Sequence, residues 1–519
     1  MRSNRPSRRP LSAADVLYIA ILVFGFAVFV TPEFDPDFWW TAAIGLQIMA
    51  MHAVPQHLDF AFTALNHPFI SQEWGSELLD GFVFKYLGMT AVILMFAIAT
   101  WIGFFLSVRR IDTVGRSRWL VAIGAALVIT AGIQIWGPSP QMFSFGLLGV
   151  LLTLLDSYRR QPRRRLLVWL VAMFVLWGNI HGGFLVGLGV VLVYLVGEVL
   201  TRLLADHPSL SWRDLRDLGV AFGVALLAPM LNPNGIGAYL YPAKLLLNRL
   251  AQSSLNEWAP PNFHQAAMLP TLVLLITTIL VASFATKTSW ANRLLAGAGI
   301  VLMLYAVRDI PIFAVLALPL WADGWDGLLQ SLRDKNVLRA KVGSHPAPAW
   351  FVVAVLLLVS LAGLGRISTQ LNNGDNSVQG SAYPVAVGNA ICHGPAARVF
   401  TPYGSSGWLI YRLDHREPLG RACSASRVFI FGEVVLMGPK VFADYLQIAE
   451  DDSNALSLLH HYGVTLVWQP RGSRLIGQLR HLSGWRCVFA DKTNLMYATS
   501  NTASKWHDNT ATCPGGVSS

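Results

Sequence analysis

Two aspartates separated by a single proline follow the first apolar segment of the chain. Asp35 and Asp37 stand directly before an aromatic pair, Trp39 and Trp40. The stretch 33–81 contains seven acids, whereas a single lysine is the only base before the second apolar segment. Carboxylates at a membrane boundary are costly to desolvate, so such a cluster indicates a functional site. Side chains of this type can act as a general base, or they can bind a cation or a proton.

The elements that must position these acids are predicted to be membrane helices. The chain is 54% hydrophobic and only 13% charged, which excludes a soluble protein. Apolar windows that can cross a bilayer need about 17 to 25 residues, and we count about eleven; some are shorter and indicate helices that end inside the protein. The windows cover 16–32, 86–108, 119–136, 141–156, 166–180, 183–201, 217–231, 267–285, 294–307, 310–322 and 349–365.

The basic residues predict the orientation of these spans, because Lys and Arg in short loops stay on the cytoplasmic side. With the N-terminus in the cytoplasm, the predicted inner segments hold 22 Lys and Arg residues and the outer loops hold four. The formal net charge of +10 is therefore a topology signal, and no nucleic-acid partner is predicted. An odd number of spans places everything after about Arg366 outside the cytoplasm.

The sequence changes character after the last span. Short apolar runs alternate with helical patterns, which is typical of a small α/β domain. We therefore predict a transmembrane domain that includes an acidic first outer loop, then a polar linker, an extracytoplasmic α/β domain and a flexible tail. Their bounds are 1–366 with the loop at 33–85, 367–382, 383–499 and 500–519.

All four cysteines fall in the predicted outer domain, and none falls in the membrane part. An even number confined to one non-cytoplasmic domain indicates two disulfides, which persist in oxidising compartments. The sequence-local pairing joins Cys392 with Cys423 and Cys487 with Cys513. Two other pairings, and free structural thiols, remain alternatives.

Ordered short motifs along almost the whole chain resemble a bacterial branch of the GT-C class of membrane glycosyltransferases. These multispan enzymes take a sugar from a polyprenyl-phosphate carrier on the outer face of the membrane. The resemblance implies a GT-C-like fold in the bacterial inner membrane, with a periplasmic or extracellular C-terminal domain. The motifs lie at 35–40, 59–63, 73–79, 140–144, 179–183, 231–235, 257–260, 308–313, 398–403 and 462–464.

The chain departs from the pattern of that branch at four positions. Thr41 and Gln72 stand where a histidine is usual, Ser139 stands where an arginine is usual, and Glu433 follows Gly432 where an arginine is common. Loss of two imidazoles beside the acids argues against a metal at this site. It also leaves open that catalysis is altered or absent.

The resemblance implies that Asp37 is the general base, because the class places an acid after the first span. An inverting transfer from a lipid phosphate needs one carboxylate to take the proton of the acceptor hydroxyl, and partial withdrawal from water raises the pKa of that carboxylate toward the working pH. Asp35 is the alternative base, since only one of the pair can point inward. Glu73 would orient the acceptor or share a metal. The cofactor is thus either none or a divalent metal.

Five further residues are predicted to bind substrate. Arg308 can hold the carrier phosphate with two hydrogen bonds, and His181, Asn232, Glu257 and Trp40 complete the set. Structural roles are the alternatives. These are a helix-capping turn for the aspartates, interface anchoring for the tryptophans, a helix-dipole role for Glu73, an ion pair or snorkelling for Arg308, and packing for His181. Asn232 lies in a turn signature, and Glu257 lies where the chain can rest on the membrane surface.

These observations predict a glycosyltransferase that moves a sugar from a polyprenyl-phosphate donor to an extracytoplasmic glycan, lipid or protein, with membrane lipid as its other partner. Two alternatives remain. A lipid or polysaccharide transporter or assembly component would use the acids at a gate, although its ionisable residues would be expected near the bilayer midplane. A catalytically inactive GT-C-like scaffold is the second alternative, which the missing imidazoles favour.

Overall fold

A computed structural model describes most of the chain. Glu33, the arginines before residue 11, Arg339, Lys341, residues 377–382 of the predicted linker and most of the predicted tail lie outside the described residues. The described ranges are 11–32, 35–65, 67–113, 116–205, 208–337, 347–376, 383–414, 423, 425–450, 453–506 and 513.

The chain is divided into two compact units. The first comprises Met1–Thr31, Ile93–Pro229 and Leu255–Leu371, and the second comprises Pro32–Val92, Met230–Ser254 and Asn372–Ser519. The acid-rich segment after the first helix therefore belongs to the same unit as the C-terminal domain.

Helices dominate both units. They are α1 (Ala13–Phe29), α2 (Phe38–Met51), α3 (Trp74–Ile111), α4 (Arg118–Ala131), α5 (Gln141–Arg160), α6 (Arg164–Ile180), α7 (Phe184–Leu204), α8 (Trp212–Ala225), α9 (Gly237–Leu247), α10 (Arg249–Ser254), α11 (Leu269–Val281), α12 (Trp290–Tyr305), α13 (Ile310–Asp334), α14 (Ala349–Asn376), α15 (Val385–His393), α16 (Tyr403–Asp414), α17 (Val434–Ala449), α18 (Ala455–His461), α19 (Arg474–Leu479) and α20 (Ser500–Ala503).

Each of the eleven apolar windows predicted from the sequence falls on a helix. Six helical segments among the described residues are long and apolar enough to cross a membrane, and four shorter apolar helices accompany them. The prediction of a polytopic α-helical membrane protein is therefore confirmed. The last of these helices, α14, continues to Asn376 and so extends beyond residue 366.

Local chemistry explains where several helices begin and how closely they pack. Ser12 and Asp15 form a reciprocal capping box at the start of α1, which satisfies backbone donors that would otherwise lack partners. A Cβ on Gly149 of α5 would lie only 2.8 Å from the Cα of Gly103 of α3. Small residues thus allow close approach of membrane helices, which hydrophobicity alone cannot drive in lipid.

A backbone break divides α3. Gly88 has φ 77° and ψ 179°, a conformation that glycine adopts without a steric penalty. The portion of α3 before the break packs against α2 in the second unit, where a Cβ on Gly45 would overlap the carbonyl of Glu77. Two of the seven acids, Glu77 and Asp80, lie on this portion.

The C-terminal domain contains a five-stranded sheet with helices around it, so the predicted α/β domain is confirmed. The strand order is β2-β1-β3-β5-β4; β1 is parallel to β2 and β3, and β5 is antiparallel to β3 and β4. The strands are β1 (Arg398–Phe400), β2 (Arg427–Val428), β3 (Leu466–Pro470), β4 (Trp485–Ala490) and β5 (Asn494–Thr499).

A segment of the predicted first outer loop forms a bridge to this sheet. The Val428 amide donates to the Phe60 carbonyl, and the Phe62 amide donates to the Val428 carbonyl, and both hydrogen bonds are 3.1 Å long. Asp59 forms an ion pair with Arg427 at 3.0 Å, next to the same strand. The loop is therefore attached to β2 by a single parallel bridge between Ala61 and Val428.

The cysteines are paired in the structure. Cys392 is bonded to Cys423 and Cys487 to Cys513, which is the sequence-local pairing. The second disulfide ties a residue of the predicted tail to β4.

Candidate active site

Asp37 directly precedes α2 and is held by the aromatic residue one turn later. The Trp40 indole Nε1 donates to Asp37 Oδ1 at 2.9 Å, and the Asp37 backbone amide donates to Asp35 Oδ1 at 3.1 Å. Both aspartates are half-buried. The two carboxylates therefore differ: one is oriented by an indole, and the other stabilises the turn that carries it.

The C-terminal domain reaches the Asp37 carboxylate through a glycine. A Cβ on Gly432 would overlap Asp37 Oδ1 and would lie 2.6 Å from Trp40 Nε1. The preceding residue, Phe431, packs edge-on against the Trp40 ring with centroids 5.5 Å apart. Any side chain at position 432 would displace the hydrogen-bonded pair of Asp37 and Trp40.

The two positions where the GT-C branch usually has histidine are hydrogen-bonded to acids. Thr41 Oγ1 donates to Asp80 Oδ2 at 3.1 Å, and Gln72 Nε2 donates to Glu73 Oε1 at 3.1 Å. Thr41 and Asp80 are fully buried. Neutral donors thus occupy the places where imidazoles were expected.

A buried acid that the sequence analysis treated only as a departure from the pattern joins this group. Glu433 directly precedes α17 and is 4% exposed. Burial raises the pKa of Glu433 to about 8, and the negative charge of Glu73 acts in the same direction. The hydrogen bond with the Tyr241 hydroxyl lowers the pKa but only partly offsets these two effects. Glu433 is therefore mostly uncharged at neutral pH.

Two tyrosines that the sequence analysis missed belong to the same group. Burial raises the pKa of Tyr403 well above its usual value, and the Asp37 and Glu433 charges add to the effect. Burial likewise raises the pKa of Tyr241, together with the charge of Glu433. Tyr403 ends the motif at 398–403, but no local pattern assigned either tyrosine to the acids, because they come from α16 and α9.

Asn232 fastens the loop that carries Glu73. Its Nδ2 donates to the Gln72 carbonyl at 2.9 Å, while Asn234 Nδ2 donates to the Ser71 carbonyl at 2.7 Å. Asn232 is also buried, and its own turn is closed by the Gly235 amide donating to its carbonyl at 2.8 Å. Asn232 therefore belongs to a turn, as its sequence indicates, and it also holds the loop that carries Glu73.

Two predicted substrate-binding residues of the first unit form an ion pair. Arg308 Nη1 lies 2.7 Å from Glu257 Oε1, and the guanidinium lies over the Trp258 ring at 4.8 Å from its centroid. The Arg308 carbonyl also accepts from Gln141 Nε2 at 2.8 Å. The arginine is thus already oriented, with a fifth of its side chain exposed.

His181 lies in the turn between α6 and α7, where it is half-buried and takes part in a chain of hydrogen bonds. Trp177 Nε1 donates to Ser144 Oγ at 2.7 Å, Ser144 Oγ lies 2.7 Å from His181 Nδ1, and the Gly183 amide donates to Nδ1 at 2.9 Å. Burial lowers the pKa of His181 to about 3, and the Arg308 charge contributes. The imidazole is therefore neutral, with Nδ1 as acceptor.

The predicted site residues are thus divided between the units. Asp35, Asp37, Trp40, Glu73 and Asn232 belong to the second unit, and His181, Glu257 and Arg308 belong to the first. In the described ranges, no group of three or more His, Cys, Asp or Glu side chains is arranged to hold a metal ion.

Solved structures share the fold of this chain, although no family model and no curated protein matches it. The archaeal oligosaccharyltransferase AglB from Archaeoglobus fulgidus, in complex with an inhibitory peptide and a dolichol-phosphate, matches with a TM-score of 0.54 and 12% identity. That match covers 96% of this chain and 74% of AglB. ArnT from Cupriavidus metallidurans, bound to undecaprenyl phosphate, matches with a TM-score of 0.50 and 14% identity, over 94% of this chain and 98% of ArnT. The resemblance to the GT-C class is therefore confirmed at the level of the fold.

Proposed function

We propose that this chain is a membrane glycosyltransferase that moves a sugar from a polyprenyl-phosphate donor to an acceptor outside the cytoplasm. The observation that carries the proposal is the fold shared with ArnT over nearly the full length of both chains, in a structure of ArnT bound to undecaprenyl phosphate. The oriented Asp37 carboxylate supports it, because such a transfer requires a positioned base.

In the proposed reaction the acceptor hydroxyl attacks the anomeric carbon of the donor sugar. A new carbon–oxygen bond forms, the bond from that carbon to the phosphate oxygen breaks, and the phosphate leaves with the electron pair. Asp37 takes the hydroxyl proton. Trp40 and the close approach of Gly432 keep its Oδ1 in place, and positioning of this kind contributes about 10² to 10⁴ in rate.

The remaining predicted residues receive binding roles in this proposal. Arg308 would hold the carrier phosphate, since its charge can stabilise the negative charge that grows on the leaving group. Glu257 orients that guanidinium through the ion pair, and Glu73 would orient the acceptor. Asn232 fastens the Glu73 loop, and His181 would offer its neutral ring to substrate. A divalent metal shared by Glu73 stays a prediction.

The proposed location is the bacterial inner membrane, with the N-terminus in the cytoplasm and the C-terminal domain in the periplasm or outside the cell. The bias of Lys and Arg toward the predicted inner segments supports this orientation. Two disulfides in the C-terminal domain also support it, because such bonds persist in oxidising compartments.

The experiment that tests the proposal uses the purified full chain with a panel of polyprenyl-phosphate sugars. Asp37→Asn, Asp35→Asn and Glu73→Gln are compared with the unsubstituted protein, and Glu450→Gln, an exposed acid after α17, is the control. We expect turnover by the unsubstituted and control proteins and severe loss in Asp37→Asn. Retained turnover in all three variants would remove the catalytic assignment. Absence of turnover in the unsubstituted protein across the panel would favour the transporter or the inactive scaffold.

A further inference from the structure

The segment of the C-terminal domain that approaches Asp37 is anchored to the first outer loop. Just before Gly432, β2 pairs with the Phe60–Phe62 segment, and Thr63 Oγ1 donates to the Phe429 carbonyl. The turn that contains Gly432 is therefore attached on one side to the loop that carries Asp37. A fixed turn of this kind can hold a neighbouring side chain in one geometry.

Glu433 is the next residue of that turn, and its environment is unusual for an acid. It is nearly fully buried, and its Oε1 has no hydrogen-bond partner among the residues that the structure describes. A buried carboxylate needs compensating partners, whereas an uncharged carboxylic acid is tolerated at a much smaller cost. The titratable groups that interact with it or with its turn are Tyr241 of α9, Glu73 and Glu77 at the start of α3, Tyr403 of α16, Asp37 before α2, and His67, which hydrogen-bonds the Leu436 carbonyl.

We propose that Gly432 and Glu433 are positioning residues supplied by the C-terminal domain for the sugar transfer. Gly432 leaves the space in which the Asp37 carboxylate and the Trp40 indole are held. Glu433, as an uncharged acid, keeps this group of carboxyls receptive to an anionic phosphate donor. The inference rests on the proposed function and adds to it the requirement that one acid of the site stay protonated.

This requirement has a consequence for pH dependence. The pKa of Glu433 is raised to about 8 by burial, so alkaline conditions ionise it. A further negative charge next to Gly432, the glycine that approaches Asp37, would then repel the donor phosphate, because like charges in a poorly solvated site interact strongly. We expect kcat/KM to fall about tenfold between pH 7 and pH 9 as the uncharged form is depleted.

The decisive variant is Glu433→Gln, which keeps the shape and the neutrality of the protonated acid but cannot ionise. We expect near-normal kcat/KM at pH 7 and no fall toward pH 9. Glu450→Gln, at the other end of α17, is expected to keep the pH profile of the unsubstituted protein. An unchanged alkaline fall in Glu433→Gln would overturn the inference, as would its inactivity at pH 7 with a melting temperature no lower than that of the unsubstituted protein.

A binding measurement separates this inference from the proposed function. Binding of undecaprenyl phosphate to the purified protein is followed by tryptophan fluorescence at pH 7, 8 and 9. We expect the affinity of the unsubstituted protein to weaken about tenfold over this interval while that of Glu433→Gln stays constant. This pattern without any turnover would mean that the proposed function fails and the role of Glu433 stands. Equal pH dependence in both proteins, or no binding at any pH, would overturn the role of Glu433.

The role of Gly432 is tested with Gly432→Ala, and Gly477→Ala is the matched control because nothing lies near its Cβ. Displacement of Asp37 by about an ångström predicts a loss of about 10²-fold in kcat with little change in KM. The control should retain full kcat. Full activity of Gly432→Ala at an unchanged melting temperature would contradict the positioning role. If Gly432→Ala melts at a lower temperature, the pH profile of Glu433→Gln decides whether the inference holds.

Discussion

The two units differ in how they treat charged side chains. In the first unit, charge is paired whether it is buried or not: Arg110, whose side chain is 4% exposed, lies 2.7 Å from Asp156, and the partly exposed Arg308 lies 2.7 Å from Glu257. In the second unit, Glu77, Asp80 and Glu433 are buried, and none of the three forms an ion pair with Lys or Arg in the described part of the chain. Ion pairs of this kind are typical of residues with a structural role. A group of buried acids without such partners has perturbed pKa values, which are typical of a functional site.

The predicted base, in the second unit, and the predicted phosphate ligand, in the first, are held by different kinds of neighbour. Asp37 is oriented by an indole and by the close approach of a glycine. Arg308 is oriented by a carboxylate and an aromatic ring. Substitution of Asp37 should therefore change catalysis with little effect on stability, and substitutions at the buried Arg110–Asp156 ion pair should do the reverse.

The largest effect is expected for Asp37→Asn. Asn retains an oxygen that can accept from Trp40 Nε1, so the fold should persist while the base is lost. We expect kcat to fall by about 10² to 10⁴ with an unchanged melting temperature. Steady-state kinetics and thermal unfolding in detergent measure both quantities, and a loss of stability that parallels the loss of activity would contradict the comparison.

The next effect is expected on stability in the first unit. Asp156→Asn removes one partner of Arg110, whose side chain is 4% exposed. An uncompensated buried charge costs about 3 to 5 kcal/mol, so the free energy of unfolding should fall by that order. In the double variant with Arg110→Met the loss should be smaller than the sum of the two single losses. Additive losses would show that the pair is not coupled.

A third prediction concerns the pH dependence of stability in the second unit. The folded pKa of Glu433, about 8, exceeds its usual value of 4.5, so the folded state binds more protons than the unfolded state between those values. The stability that this group contributes is present below pH 4.5 and is lost as pH rises through 8, by up to about 1.4 kcal/mol per pH unit. Glu433→Gln should therefore melt higher than the unsubstituted protein at pH 8, and the difference should shrink toward pH 5. A difference independent of pH would contradict this sign.

The smallest effect is expected for Arg308→Lys. Lysine keeps the charge but cannot grip a phosphate with two parallel hydrogen bonds, so KM for the donor should rise about tenfold while kcat changes little. Glu257→Gln tests the structural alternative, because it breaks the ion pair and leaves the guanidinium in place. Equal loss of melting temperature in both variants, with no change in KM, would assign Arg308 to structure alone.

Some parts of the site could be predicted because they are local in the chain. Asp37 and Trp40 are three residues apart at the start of a helix, so their side chains share a face. The apolar windows predicted helices because a bilayer demands a minimum length of apolar residues. The grouping of the tyrosines and Glu433 with the acids could not be predicted in this way, because these residues are brought to the acid-rich segment from α9, α16 and the turn before α17.

The amino-acid sequence by itself determined the class of protein, its helices, its C-terminal α/β domain and the acid-rich segment, because burial in lipid and strand or helix periodicity are properties of consecutive residues. Only the tertiary structure decided that Glu433 joins those acids, that Thr41 and Gln72 donate to them, and that β2 is bridged by the Phe60–Phe62 segment. Contacts between residues hundreds of positions apart depend on how helices and strands from distant parts of the chain pack together. A pattern of consecutive residues carries no information about that packing.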